Sequence, residues 1–440
     1  MRRSLILLAL AGLAACDDST RPLAPATEPS APTHNLVAED GSIPGHYIVS
    51  VNWSTDAALL AREFGIQPKH VYTELLNGFA GAIPDDVAQA LAADPRVLRV
   101  SVQRQLQAVG TVQQTGATWG LDRIDQRFRP LDSIYTYRNT GAGVTAYIID
   151  TGIRFDHAEF EGRAVPGFDA FAADPVDPLL APTAPNDCHG HGTHVAGTVG
   201  GKTWGVAKRA KLVAVRVLNC VGYGSDADVI AGMDWVAKHA TLPAVANMSL
   251  GDVVPTKTMG TSTEVDNAVK AMIASGVTVA VAAGNGWGNG TVGADACMFP
   301  ISNVPEAITV AASNATDTRT TWTNYGACID LFAPGSGITS ADYSSQTGSI
   351  AFSGTSMAAP HVAGAAALVL EQAPGANPQE VRDVLVDGST KNIILPTTLN
   401  NGHTMNSHLL YSLAPVPDHL TKKNGRTVPC TPRRQRAGEC

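Results

Sequence analysis

Between residues 119 and 414, short apolar runs at 144–149, 211–217, 244–248, 277–282, 307–310 and 329–332 alternate with stretches of helical character. The helical stretches fall at 191–200, 225–239, 263–275, 355–372 and 378–385. A strand with one face in water alternates apolar and polar residues. These runs are instead apolar almost throughout, as strands buried on both faces are. A parallel sheet achieves that burial by carrying its crossover helices on both sides. The expected fold of this region is therefore α/β, a doubly wound parallel sheet. No internal repeat at solenoid periods breaks the pattern.

The flanking segments read as appendages. Arg2 and Arg3 precede an apolar run at 5–13 and then Ala14-Ala15-Cys16. A basic region, an apolar region and a small-residue cleavage site make residues 1–16 a signal peptide, too short to be a permanent span. Leu13-Ala14-Ala15-Cys16 also resembles the bacterial lipoprotein signal, which makes Cys16 a candidate lipid anchor. Either route takes the chain out of the cytoplasm, secreted or held at the cell envelope. Residues 17–43, rich in Pro, Ala, Ser and Thr, are a linker. Within 44–105 the pattern predicts strands at 46–51, 69–76, 79–83 and 97–102 and helices at 55–64 and 85–93. Asn77-Gly78 supplies a hairpin signal. This β-α-β-β-α-β order predicts a small α+β, ferredoxin-like domain. Residues 106–118 are polar and Gln-rich, an exposed place for cleavage. The main domain spans 119–414, and 415–440 is a basic, Pro-rich tail. A net charge of −8 gives no electrostatic case for nucleic-acid binding. Outside the cytoplasm Cys188, Cys220, Cys297, Cys328, Cys430 and Cys440 oxidise, and spacing alone does not choose their pairing. No Cys-x-x-Cys pair is present to build a thiolate zinc site.

Three stretches carry reactive side chains. Gly354-Thr355-Ser356 opens an apolar, Ala-rich run through Leu370, so Ser356 is expected at the N-terminus of a buried helix. Amides there lack intrahelical partners and carry partial positive charge, which suits a nucleophile that passes through an oxyanion. The competing reading is a serine that only caps the helix. Asp150 follows an apolar run and is expected at the C-terminal strand edge, where open α/β sheets bind ligands. The alternative is a turn or cap residue. His191 lies between Gly190 and Gly192, with His189 and His194 close enough in sequence to raise a zinc alternative. A zinc helix spaces its histidines at i and i+4 beside a glutamate, and no carboxylate lies between these three. A serine becomes nucleophilic when a histidine takes its proton and an acid fixes that histidine's tautomer. Asp150, His191 and Ser356 supply that set.

Asp150-Thr151-Gly152, His191-Gly192-Thr193-His194-Val195-Ala196-Gly197 and Gly354-Thr355-Ser356-Met357-Ala358-Ala359-Pro360 resemble the three signature blocks of subtilisin-like serine proteases. Trp119-Gly120-Leu121-Asp122-Arg123-Ile124-Asp125, Asn247-Met248-Ser249-Leu250-Gly251 and Ala282-Ala283-Gly284-Asn285 are similar to the proteinase K branch, its aqualysin-like members in particular. The resemblance covers about residues 115–414. Residues 46–103 resemble the family's inhibitory propeptide, with weaker motifs.

The resemblance implies a subtilisin-like fold and a self-processing, broadly specific endopeptidase acting on proteins or peptides. In it Ser356 attacks the carbonyl, His191 is base and then acid, and Asp150 holds the imidazole. Asn285 and the Ser356 N–H would hold the oxyanion. Gly222, Tyr223 and Gly224, with Ser249, Leu250 and Gly251, would pair with extended substrate. It further implies disulfides Cys188–Cys220 and Cys297–Cys328, which leaves Cys430–Cys440 for the tail. Calcium is implied at the carbonyls of Pro305 and Ala307 with Asp330, and at Asp122, Asp125, Gln126 and Asp132. The propeptide would act as intramolecular inhibitor and folding aid, and the enzyme as a monomer. Two other classes compete: a catalytically dead binding protein on the same fold, and a zinc hydrolase using His189, His191 and His194.

Overall fold

The computed structural model describes residues 42–104, 110–172, 186–251, 263–286, 292–395 and 407–421. The chain divides into two compact units between residues 108 and 109. The first contains β1 (Ser42–Val51), α1 (Ala57–Glu63), β2 (His70–Tyr72), β3 (Gly78–Ala82), α2 (Asp85–Ala93) and β4 (Val97–Arg104). Its strands form one antiparallel sheet in the order β2-β3-β1-β4. Val49, Val51, Leu60, Phe79, Ile83 and Leu91 form its core. Asn77-Gly78 is not the hairpin turn its sequence signals. Residues 73–77 connect β2 to β3, and Asn77 spends its amide on Asn52 O (2.8 Å) and Thr55 O (2.7 Å). Gly78 lies so near β1 that a Cβ would fall 2.1 Å from Val49 O. Close approach, not a turn, requires the glycine.

The second unit begins with β5 (Val112–Thr115), α3 (Trp119–Ile124) and β6 (Ile134–Tyr137), followed by β7 (Thr145–Asp150) and β8 (Ala164–Asp169). Then come α4 (His191–Gly200), β9 (Lys211–Arg216), α5 (Asp226–His239), β10 (Ala244–Met248), α6 (Glu264–Ala274) and β11 (Thr278–Ala282). The C-terminal half adds β12 (Ile308–Ser313), β13 (Leu331–Pro334), β14 (Ile338–Ala341), β15 (Ser349–Phe352), α7 (Thr355–Gln372), α8 (Pro378–Gly388) and α9 (Asp418–Thr421). Seven strands form one sheet, β13-β12-β11-β10-β7-β9-β8, and every pairing in it is parallel. On β7, Ala146 and Ile148 join a core with residues of α4, α7 and α8, while Tyr147 and Ile149 join a second core with α5 and α6. The sheet is thus covered on both faces, which is why its strands are apolar throughout.

β8 carries Pro166 and Gly167, which hide it in the sequence. Proline cannot donate to a ladder, so it is tolerated at an edge; β8 is the edge strand, and its register shifts between Pro166 and Phe168. Two of the flanking segments carry regular structure of their own. Part of the 106–118 span is not free chain, because β5 pairs antiparallel with β6. The 415–440 tail starts within the second unit, where α9 turns at Asp418–Thr421 and buries Leu420 in the main core.

Strand order reverses between β7 and β10, and at such a switch point the connections leaving the two strands part to form a crevice. α7 is buried from Met357 to Leu370 and packs on β10, β11 and β12. Its N-terminus therefore opens at the same strand edge as the C-terminal ends of β7 and β10.

Candidate active site

Asp150 ends β7 with its side chain fully buried. Its Oδ1 accepts from the Thr151 N–H (2.7 Å) and from His191 Nδ1 (2.8 Å), and its Oδ2 lies 3.0 Å from the same nitrogen. A carboxylate so placed keeps the proton on Nδ1 and leaves Nε2 free to accept. His191 opens α4 beside Gly192, which passes so close to β7's exit that a Cβ would fall 2.2 Å from Gly152 O. Burial opposes protonation of His191. The charge and hydrogen bond of Asp150, with a contribution from Asp187, outweigh it and hold the imidazole pKa above its ordinary value. His194 takes no part. It is buried, stacks on Phe352 and sets Nε2 2.9 Å from Ile338 O. The three histidines of the zinc alternative therefore do not meet.

Ser356 does not cap its helix. The N-cap of α7 is Gly354, without a side-chain cap bond. The Ser356 hydroxyl instead donates to Ser249 O (3.2 Å). Pro360 lacks the N–H that would bond the Ser356 carbonyl in an unbroken helix. Ser249 Oγ fills that gap at 2.8 Å, and its hydroxyl accepts from Asn247 Nδ2 (2.8 Å). No sequence pattern signals this contact between β10 and α7.

Asn285 follows β11. Its Oδ1 accepts from Thr355 N (2.8 Å) and Thr355 Oγ1 (3.0 Å), so the amide NH₂ is left for the cleft. The buried Asn324 braces the same loop, bonding Ala283 O (2.8 Å) through Nδ2 and Gly286 N (2.8 Å) through Oδ1. Among the described residues no group accepts from the Ser356 N–H. Asn285 Nδ2 and that amide are thus two donors beside one hydroxyl.

A single cleft is lined by His191, Asn285 and Ser356, by Gly222, Tyr223 and Gly224, and by Ser249, Leu250 and Gly251. Every expected catalytic or substrate-contacting position except the buried Asp150 reaches it. Ala282, Gly284 and Gly251 make part of its wall, so little side-chain bulk intrudes there.

Among the described residues two disulfides are present, Cys188–Cys220 with Cα atoms 5.0 Å apart and Cys297–Cys328 at 5.4 Å. Cys16, Cys430 and Cys440 lie outside the described residues. The first disulfide closes the loop that leads into His191.

The two implied calcium sites differ. Asp330 places Oδ2 on Thr309 N (2.8 Å) and pairs through Oδ1 with Arg382, so a cation there has to share an occupied carboxylate. The second set fits better. Asp122 accepts from Asp132 N (3.3 Å) and Ser133 N (2.7 Å), and Asp125 Oδ1 is buried without a partner. Burial first, then the charges of Asp122 and Asp132, raise the Asp125 pKa to about 6. Among the described residues no three His, Cys, Asp or Glu side chains converge on one metal position, so carbonyl and amide oxygens would complete the shell.

Comparison with known proteins agrees with this geometry. The model of the subtilase family matches residues 141–408. An extracellular serine proteinase of Thermus sp. (strain Rt41A) is 44% identical over 432 residues, 92% of this chain and 98% of that protein. Alkaline serine exoprotease A of Vibrio alginolyticus is 44% identical over 354 residues, 80% of this chain and 61% of that one. The crystal structure of a cold-adapted subtilisin-like serine proteinase superposes with a TM-score of 0.60 at 46% identity, covering 68% of this chain and all of the other. With a sheet reversing between β7 and β10 and an aspartate, a histidine and a serine gathered there, the chain belongs to the subtilase family.

Proposed function

We propose that this subtilase is an extracytoplasmic serine endopeptidase that acts through Ser356, His191 and Asp150. The observation that carries this reading is the buried Asp150 bonded to a part-exposed His191 that opens onto the cleft Ser356 lines. His191 Nε2 takes the Ser356 proton as Oγ attacks the substrate carbonyl. The oxyanion receives hydrogen bonds from Asn285 Nδ2 and the Ser356 N–H. His191 then protonates the leaving amine, and water repeats the sequence on the acyl-enzyme. Substrate runs extended between 222–224 and 249–251, read through its backbone, and the small wall residues give broad specificity. Stoichiometric labelling of Ser356 by an organophosphate, lost in His191→Ala, tests the reading. A folded chain that resists the reagent would instead be a binding protein on this fold.

Asn285→Ala is expected to lower kcat by about 10²–10³ with little change in KM, the scale established for an oxyanion asparagine in subtilisin. A rise in KM alone, with kcat intact, would remove Asn285 from the oxyanion role.

Residues 1–16 would export the chain, with Cys16 the position of a lipid anchor. The mass of the mature N-terminus separates the secreted from the anchored form. The unit at 44–105 would be an intramolecular inhibitor, removed by cleavage in the 104–111 connection, ahead of β5.

Calcium would be held by Asp122, Asp125, Gln126 and Asp132, and more weakly by Pro305, Ala307 and Asp330. It would supply positive charge to buried carboxylates and take no part in catalysis. Calcium at about 100 times its Kd is expected to add about 2.7 kcal/mol to stability. Calorimetry with chelator and then with added calcium reads this as a rise in Tm, smaller in Asp125→Ala. An identical calcium-dependent rise in that variant would move the site elsewhere.

A further inference from the structure

Asp187 precedes His191 in the loop that opens α4, and its side chain is buried, 8% exposed. Its Oδ1 accepts from Thr151 Oγ1 (2.9 Å), His189 N (2.9 Å) and Gly190 N (2.8 Å). Its Oδ2 accepts from Thr193 N (2.8 Å) and Thr193 Oγ1 (2.6 Å). Thr151 Oγ1 in turn accepts from Gly192 N (2.8 Å), while the Thr151 N–H is bonded to Asp150. The donors thus come from both sides of His191 and from the residue that follows Asp150. No lysine or arginine pairs with this carboxylate among the described residues.

A lone buried carboxylate is costly unless fully hydrogen-bonded, and this one is. Any other closed arrangement would leave the buried carboxylate short of donors, so their joint satisfaction selects one loop conformation. That conformation is the one in which Nδ1 of His191 meets Asp150. We propose that Asp187 is a positioning residue for the Asp150–His191 pair, locking the two segments in register and adding a second negative charge behind the imidazolium. The inference rests on His191 being the base.

The titratable and charged groups around His191 are Asp150 from β7, Asp187 and His189 from its own loop, and His194 further along α4. From the neighbouring segments come Tyr343, Arg154 paired with Asp156, and Arg216 paired with Asp169. Those two arginines are already neutralised, so Asp187 is the unpaired charge in this group.

The test uses full-length chains matured in trans by the unsubstituted enzyme, with kinetics on a soluble peptide across pH. Organophosphate labelling of the unsubstituted enzyme comes first: its failure overturns the triad reading and this inference with it, whereas labelling followed by unchanged kinetics in the variants overturns this inference alone. Asp187→Asn is expected to lower kcat about 100-fold and move the acid limb of kcat/KM down by about one pH unit, since imidazolium loses a nearby anion. Thr151→Val cuts the link but keeps the charge. It is expected to lower kcat about tenfold with the acid limb in place, on the scale of one lost hydrogen bond, and Thr151→Ser is expected to restore it. Should Asp187→Asn not fold, as circular dichroism would show, Thr151→Val carries the test. Unchanged kcat in Thr151→Val, or an unmoved acid limb in a folded Asp187→Asn, overturns the proposal.

Discussion

Asp150→Asn is expected to lower kcat by about 10⁴ while leaving KM close to its original value, the scale known when a triad aspartate becomes an amide. The local hydrogen bonds give the reason. Oδ1 of Asp150 accepts from the Thr151 N–H at 2.7 Å, so an asparagine must place its oxygen there. The NH₂ then takes the place of Oδ2, 3.0 Å from His191 Nδ1. A donor would face a donor unless the imidazole moves its proton to Nε2. That tautomer turns an N–H toward Ser356 and leaves no base. The charge that supports imidazolium goes as well, so the remaining activity should persist to lower pH than in the unsubstituted enzyme. Steady-state kinetics across pH, on chains matured in trans, check both parts. Turnover within tenfold of the unsubstituted enzyme would remove Asp150 from its role.

What could be read from the sequence was what lies contiguous in it. Asp150, His191, Ser356 and Asn285 each sit in a short motif at the end of a strand or the start of a helix, and all but the buried Asp150 reach one cleft. The parallel sheet was legible because strands buried on both faces are apolar throughout, as at Ala244–Met248 and Thr278–Ala282. β8 was not, because Pro166 and Gly167 argue against a strand and only an edge position tolerates them. β5 was not, because its four residues, Val-Gln-Gln-Thr, are mostly exposed and polar, and only pairing with β6 makes them a strand. The supports of the site were also hidden. Ser249 bonding the Ser356 carbonyl, Thr355 orienting Asn285 and Asp187 gathering Thr151 and Thr193 are meetings of distant segments. Serines, threonines and aspartates of this kind are ordinary in loops, and their partners become visible only when the chain is folded.

Ser356→Ala is expected to stop the chain at the precursor, retaining the 44–105 unit, and to lower peptide hydrolysis by about 10⁶, the scale established for subtilisin's own nucleophile. The structure separates this loss from misfolding. Gly354, not Ser356, is the N-cap of α7, so no cap is removed. Among the described residues the hydroxyl's one bond is to Ser249 O at 3.2 Å in a part-buried position, and its loss should change stability by no more than about 1 kcal/mol. The Ser249 hydroxyl still donates to the backbone carbonyl of residue 356, so the helix start keeps its support opposite Pro360. A folded variant that cannot mature is therefore a chemical failure. Electrophoresis and intact mass of purified chains would show the unsubstituted enzyme in two pieces and Ser356→Ala in one. A trace of active enzyme added in trans should cut the variant in the 104–111 connection and release the same mature N-terminus. If Ser356→Ala matured alone at the unsubstituted rate, cleavage would belong to another protease and self-processing would be wrong. If active enzyme added in trans also failed to cut it, the connection would not be a substrate of this active site.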